Sequence, residues 1–144
     1  MEIEVAIFNR QNKIPPPADK IVEEVVNFTI QHIKNKPAKI KKINIIFVDN
    51  NKIAKLNLQF LDKDCPTDVL VFNTNGEVDI FVSLEQCSIN AKIYKEKEKN
   101  EILRVIIHGI LHSFGYDDKT KNKYNEMWQL QENILNSYLN KAKF

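Results

Sequence analysis

Two cysteines, three glycines and one tryptophan occur among the 144 residues, and only Arg10 and Arg104 of the 21 basic side chains are arginine. Each scarcity excludes something. Cys65 and Cys87 stand far apart and match no paired framework, which rules out a disulfide scaffold and fits a reducing compartment. Few glycines, with three of the five prolines spent in the run Pro15-Pro16-Pro17, rule out collagen-like and low-complexity chains. No apolar run approaches the roughly 20 residues of a membrane helix. Met1-Glu2-Ile3-Glu4 starts acidic, so no secretory leader is expected. So little arginine argues against a protein built around bidentate phosphate clamps. What is present is 43% hydrophobic and 28% charged residues at a net charge of +2. That suffices for the core of one domain spanning 1–144, and the net charge is too small to imply a nucleic-acid partner by itself.

Residues 2–8 alternate polar and apolar like a half-buried strand. After the proline run, Ile21, Val22, Val25, Val26, Phe28, Ile30 and Ile33 fall on a helical stripe from about Ala18 to near Asn35, closed by Lys36-Pro37. Residues 42–48 read as a second strand, and Asp49 or Asn50 can cap a short helix through about Phe60. A loop at 61–66 leads into strands at 67–73 and 77–83, joined at Asn73-Thr74-Asn75-Gly76, where Asn-Gly is a hairpin signal. Helices follow at about 84–98, 100–114 and 120–140. This order predicts a mixed sheet of about four strands covered by helices, an α+β or α/β single domain. In the last helix Met127, Trp128, Leu130 and Ile134 read as a core stripe rather than a base-stacking platform. Lys36, Lys39, Lys41 and Lys42 form a purely basic cluster able to touch phosphate. Lys92, Lys95, Lys97 and Lys99 are interleaved with Glu96, Glu98 and Glu101 and read as a solvated helix face.

Chemistry concentrates in His108-Gly109-Ile110-Leu111-His112-Ser113-Phe114-Gly115-Tyr116-Asp117-Asp118, which holds two of the three histidines and two of the three glycines. Four residues along a helix is about one turn, so His108 and His112 project from one face, roughly 6 Å apart along the axis. Two imidazoles at that separation can share a metal ion. Gly115 can end the helix in a left-handed cap, after which Asp118 is placed to return a carboxylate to the same face. Two histidines and a carboxylate form a recurring catalytic zinc shell, although the same donors suit iron, manganese or nickel. The spacing parallels the elongated motif of metzincin proteases, but those carry Glu immediately after the first His, and here Gly109 stands there. A protease is therefore disfavoured.

The same segment resembles the HGxLHLxGYDH motif of the YbeY family of bacterial rRNA-maturation endoribonucleases. Leu56-Asn57 and Pro66-Thr67-Asp68-Val69-Leu70-Val71-Phe72 resemble the family's LN…pTDVLSF block. Val78-Asp79-Ile80-Phe81-Val82-Ser83 resembles its GDIxIS strand, and Asn90-Ala91 the start of its next helix. The resemblance implies a zincin-like mixed sheet with helices and one divalent metal, usually zinc. It further implies cleavage of single-stranded RNA, a role in 16S rRNA 3′-end maturation and ribosome quality control, and the cytoplasm. The implied partners are single-stranded RNA, an rRNA precursor and the small ribosomal subunit, with neither membrane nor DNA. Carried over by position, the metal ligands are His108, His112 and, at the third-His position, Asp118.

Two residues depart from the family pattern. Asp118 replaces His, which partly neutralises the ion and leaves bound water less acidic. Leu61 stands where the family block has an Arg before the Thr-Asp pair; Lys63 nearby supplies charge but no planar clamp. The remaining candidates are placed by helix geometry alone. Arg104, one turn before His108, could reach a phosphate or form a structural ion pair with Glu101 or Asp117. Asp68 could orient a ligand histidine or cap a loop. Tyr116 is expected to pack locally, His32 to be unrelated to the site, and Cys65 and Cys87 to be free thiols. Two other readings compete: a metallohydrolase of another substrate such as protein, and a non-catalytic ribosome-assembly factor with a structural metal.

Overall fold

The computed structural model describes residues 3–34, 36 and 39–141. Along the chain run β1 (Glu4–Asn9), α1 (Asp19–Gln31), β2 (Lys42–Val48), α2 (Asn50–Leu61), β3 (Val69–Thr74), β4 (Glu77–Ser83), α3 (Leu84–Ile93), α4 (Glu98–Ser113) and α5 (Lys121–Lys141). The expected element order and the mixed four-stranded sheet are both present. Spatially the strands lie β1-β2-β4-β3, with β1, β2 and β4 mutually parallel and β3 antiparallel to β4 at the edge.

Period-2 alternation sorts the two faces of the sheet. Ile43, Ile45 and Phe47 of β2 join Val78, Ile80 and Val82 of β4 in the larger core, with residues of α1, α4 and α5. Ile46 and Val48 point the other way and pack with Ile53 and Leu56 of α2. Asp49 caps α2 by accepting from Lys52 N at 2.9 Å. The β3–β4 turn places Asn75 at φ 54° and Gly76 at φ 90°, two consecutive positive values of the kind a tight hairpin requires. At Gly76 the need is also steric, because a Cβ would lie 2.4 Å from the Lys39 carbonyl oxygen.

Three expectations need correction. The helix expected over 84–98 ends at Ile93, and the next begins at Glu98 rather than 100. Lys95 turns left-handed (φ 56°), and Glu96 N bonds back to Ala91 O at 2.8 Å, closing α3 five residues early. The first helix stops at Gln31 because its last bonds tighten, His32 N to Thr29 O and Ile33 N to Ile30 O. Its expected close at Lys36-Pro37 lies partly outside the described residues. Finally, Trp128 is not in the core stripe. The buried face of α5 runs Met127, Gln131, Ile134, Leu135, Tyr138, and Trp128, one residue round the helix, is 46% exposed.

Candidate functional site

Helix α4 is enclosed on almost every side. From Glu101 to Ser113 only Arg104, His108 and His112 keep partial exposure, a stripe at intervals of four. Gly109 explains how close α4 lies to the sheet: a Cβ there would meet Ile80 Cγ2 at 2.8 Å and Val69 Cγ2 at 3.3 Å. No side chain fits at 109 without repacking, so a glutamate base after the first histidine is excluded sterically as well as by sequence. The helix then ends as expected. Gly115 adopts φ 101°, Gly115 N donates to His112 O and Tyr116 N to Leu111 O, both at 3.1 Å. This double bond pattern around a left-handed glycine turns the chain sharply.

The two imidazoles meet edge to face, with ring centroids 4.6 Å apart and planes at 77°. They border a cleft of about 710 Å³ between the C-terminal end of α4 and edge strand β3, floored by Thr67, Asp68 and Val69–Val71. Burial, reinforced by the neighbouring His108, lowers the pKa of His112, against the opposing pull of Asp118, the Tyr116 backbone and Asp117. His112 therefore stays neutral and able to ligate to lower pH than an ordinary histidine. Burial raises the pKa of Asp68, opposed by the charge of His108 and by the backbone amides of residues 68 and 69.

A chain of hydrogen bonds from α5 sets the tautomer of His108. Arg104 donates from Nε and Nη2 to Glu132 Oε2 and Oε1 at 2.9 and 3.0 Å, and from Nη1 to Glu96 and Glu101 at 2.9 and 2.7 Å. A guanidinium only donates and a carboxylate only accepts. The Gln131 NH2 group therefore faces Glu132, donating to Oε2 at 3.1 Å. Its carbonyl Oε1 is left to lie 2.7 Å from His108 Nδ1. His108 must carry its proton on Nδ1, which leaves the Nε2 lone pair free to bind a metal. By burial alone the Arg104 pKa would fall; bonds from Glu132, Glu96 and Glu101 outweigh that and keep it charged.

The donor chemistry thus fits a divalent metal at two positions, His108 and His112. Among the described residues no group of three His, Cys, Asp or Glu side chains converges closely enough to hold one. Asp118 lies exposed on the loop after α4 and acts on His112 through its charge. Arg104 pairs with Glu101, as one reading of the helix geometry has it, and with Glu96 and Glu132, but not with Asp117, whose partner is Lys123 at 3.6 Å. Asp68 does border the cleft, yet the partner that orients His108 is Gln131. Lys63 and Leu61 are exposed at the end of α2, and neither lines the cleft. Tyr116 packs on the core, and His32 lies tilted against Phe28 on α1, apart from the pair. Cys65 is exposed and Cys87 buried, both as free thiols.

Gln131 was not expected. The signal for it was a polar residue four positions after Met127 on an otherwise apolar helical face, which is unusual in a core stripe unless the residue has a partner.

Comparison with known proteins adds independent weight. The profile of one protein family, described as Endoribonuclease YbeY, matches residues 5–139. Proteins named Endoribonuclease YbeY from Acholeplasma laidlawii and Treponema denticola are 36% and 34% identical to this chain. The alignments cover 93% and 87% of it, and 96% and 88% of those proteins. The solution structure of TM1509 from Thermotoga maritima superposes with a TM-score of 0.65 at 28% identity, over 96% of this chain and 91% of that one.

Proposed function

The chain belongs to the YbeY family of endoribonucleases, and from that premise we propose a metal-dependent endoribonuclease that cuts single-stranded RNA in 16S rRNA 3′-end maturation and ribosome quality control. In this reading residues 1–144 form one cytoplasmic domain that meets an rRNA precursor on the small ribosomal subunit. The observation that carries it is the paired His108 and His112, at the mouth of a cleft, with His108 held in the tautomer that leaves Nε2 free. His108 and His112 are the first two ligands. Asp118, whose charge acts on His112, would be the third once the loop after α4 draws it in, since it does not converge on the pair here. When bound, a divalent ion, taken as zinc from the family resemblance, would supply a Lewis acid and lower the pKa of coordinated water.

The protein's own groups divide the remaining work. Gln131 orients His108. Asp68, whose raised pKa suits a proton carrier, stands at the cleft floor to accept or deliver one. Strand β3 is the sheet edge, and its outer backbone groups offer neutral donors to a phosphate oxygen. They are the cleft's alternative to arginine, since the donors of Arg104 are directed to carboxylates. None of Lys36, Lys39, Lys41 and Lys42 lines the cleft, so their share is long-range attraction, weakened by salt.

A second reading has one observation in its favour. With Leu61 exposed on α2 and Arg104 clamped, no arginine lines the cleft free of a carboxylate partner, as a non-catalytic assembly factor would allow. End-labelled single-stranded RNA separates the two. Wild type should cleave it, and both chelation and His112→Ala should reduce the rate at least about a thousandfold, the several kcal/mol a metal contributes. Equal cleavage by wild type and variant would sink the nuclease reading.

A further inference from the structure

Opposite the cleft, on the other side of His108, lies a second cavity of about 650 Å³ between the end of α3 and the start of α5. It shares Asp68 and His108 with the cleft, so the two cavities meet at that histidine. Tyr94, Tyr124 and Trp128 line it, and they are 68%, 49% and 46% exposed. Tyr124 and Trp128, one turn apart on α5, lie with planes within 12° and centroids 6.3 Å apart. Three aromatic rings exposed in one groove form an apolar patch, and the buried face of α5 is built from residues other than Tyr124 and Trp128.

The groove's charge selects its occupant. Glu96, Glu101 and Glu132 line it against one cationic side chain, Arg104, and by that excess of acid a phosphate group is disfavoured there. An uncharged flat ring is not. Its edge would find hydrogen-bonding groups as well: Glu96 uses only Oε2 on Arg104, and Asn90 commits its Oδ1 to Gln86. One carboxylate oxygen and one amide NH2 are left for a ligand, an acceptor and a donor on the same lining as the aromatic rings.

We propose that this groove is a nucleobase subsite, in which Trp128 and Tyr124 stack the base of a nucleotide flanking the bond held at the histidine pair, while its phosphates stay outside. The assignment rests on the RNA-cleaving reading above and adds to it where one base of the substrate is gripped. It also supplies affinity that does not depend on arginine, since every base has a face to stack.

Trp128 is the only tryptophan in the chain, so its emission reports the subsite without labelling. The full-length, zinc-loaded protein would be titrated with a single-stranded RNA hexamer. Fluorescence and strand integrity would be followed in the same tubes, alongside an abasic oligomer of equal charge. Saturable quenching by the hexamer, absent with the abasic strand, is the expected result. Tyr124→Ala should then weaken the hexamer's affinity roughly 5- to 150-fold, the range that base stacking contributes, and leave weak abasic-strand binding unchanged. RNA that is bound or cut while Trp128 emission stays constant overturns the subsite and spares the nuclease reading. Failure to bind or cut RNA at all overturns both. Equal quenching by the abasic strand also overturns the subsite, since a backbone rather than a base would then occupy the groove.

Discussion

Two clusters on α4 lie one turn apart and are treated in opposite ways. Arg104 has its donors matched by Glu96, Glu101 and Glu132, in a clamp whose cation is only 16% exposed. His108 donates one hydrogen bond to Gln131 Oε1, and the pair otherwise borders a cleft. The neighbouring clamp commits four of the five guanidinium donors to carboxylates and is therefore structural; the pair is left with lone pairs available and therefore chemical. What joins them is Glu132, which serves the clamp with both oxygens and also fixes the amide that fixes His108. A residue with no reach into the cleft can thereby decide the tautomer of one that has it.

The largest expected effect attacks the clamp. Arg104→Ala leaves the largely buried Glu101 beside Glu96 and Asp68, and burial already raises the Glu101 pKa despite the opposing pull of Arg104. Stability in urea should fall by about 3 kcal/mol or more, the cost of breaking a buried pair from one side. Adding Glu101→Gln should recover part of it. An unchanged denaturation midpoint would mean the glutamates are solvated and the contrast between the clusters is lost.

Gln131→Leu tests the link between them. It keeps the apolar packing of α5 but removes the acceptor for His108 Nδ1–H. Zinc affinity measured by chelator competition should drop about 10- to 100-fold, as for other partners that orient a ligand histidine. In the metal-free protein, nitrogen NMR should show His108 changing from one tautomer to a mixture. Retention of a single tautomer would assign the orientation to another group.

Gly109→Ala probes how close α4 must lie to the sheet. The added methyl meets Ile80 at 2.8 Å, so overpacking costs about 1–3 kcal/mol, offset by up to ~1 kcal/mol of helix propensity. A net loss near 1 kcal/mol in thermal or urea unfolding is expected. A net gain would show that the sheet yields freely. The smallest effect is a reporter for all three variants. Burial, with the charges of Asp68, Glu101 and Glu98, pushes the Cys87 thiol up, out of the reactive range. A disulfide reagent at mild pH should titrate one thiol, Cys65, and reach Cys87 only on unfolding. Two fast thiols in a variant would mean its core has opened.

Much of this could be read before the fold was known, for identifiable reasons. The histidine pair and the glycine stop are local: helical geometry puts residues four apart on one face, and a left-handed cap is a property of a few residues. The Asn-Gly hairpin is local too. Trp128 was misplaced because helical periodicity is coarse: one residue is a 100° step, and a stripe containing both 127 and 128 cannot tell which lies at its edge. The break between α3 and α4 was misplaced because nothing in Lys95 announces a left-handed turn; a lysine adopts one there at a cost that the bond from Glu96 to Ala91 offsets.

The amino-acid sequence alone determined the element order, the two histidines as a pair and the absence of a glutamate base, because each depends on neighbours within a few residues. Only the tertiary structure decided that Gln131, 23 residues from His108, holds that imidazole, and that three glutamates claim Arg104. It also decided that β3 lies at the edge of the sheet, against the cleft. These are contacts between segments distant along the chain, fixed by how α4 and α5 pack together and not by the preference of any residue within its own helix.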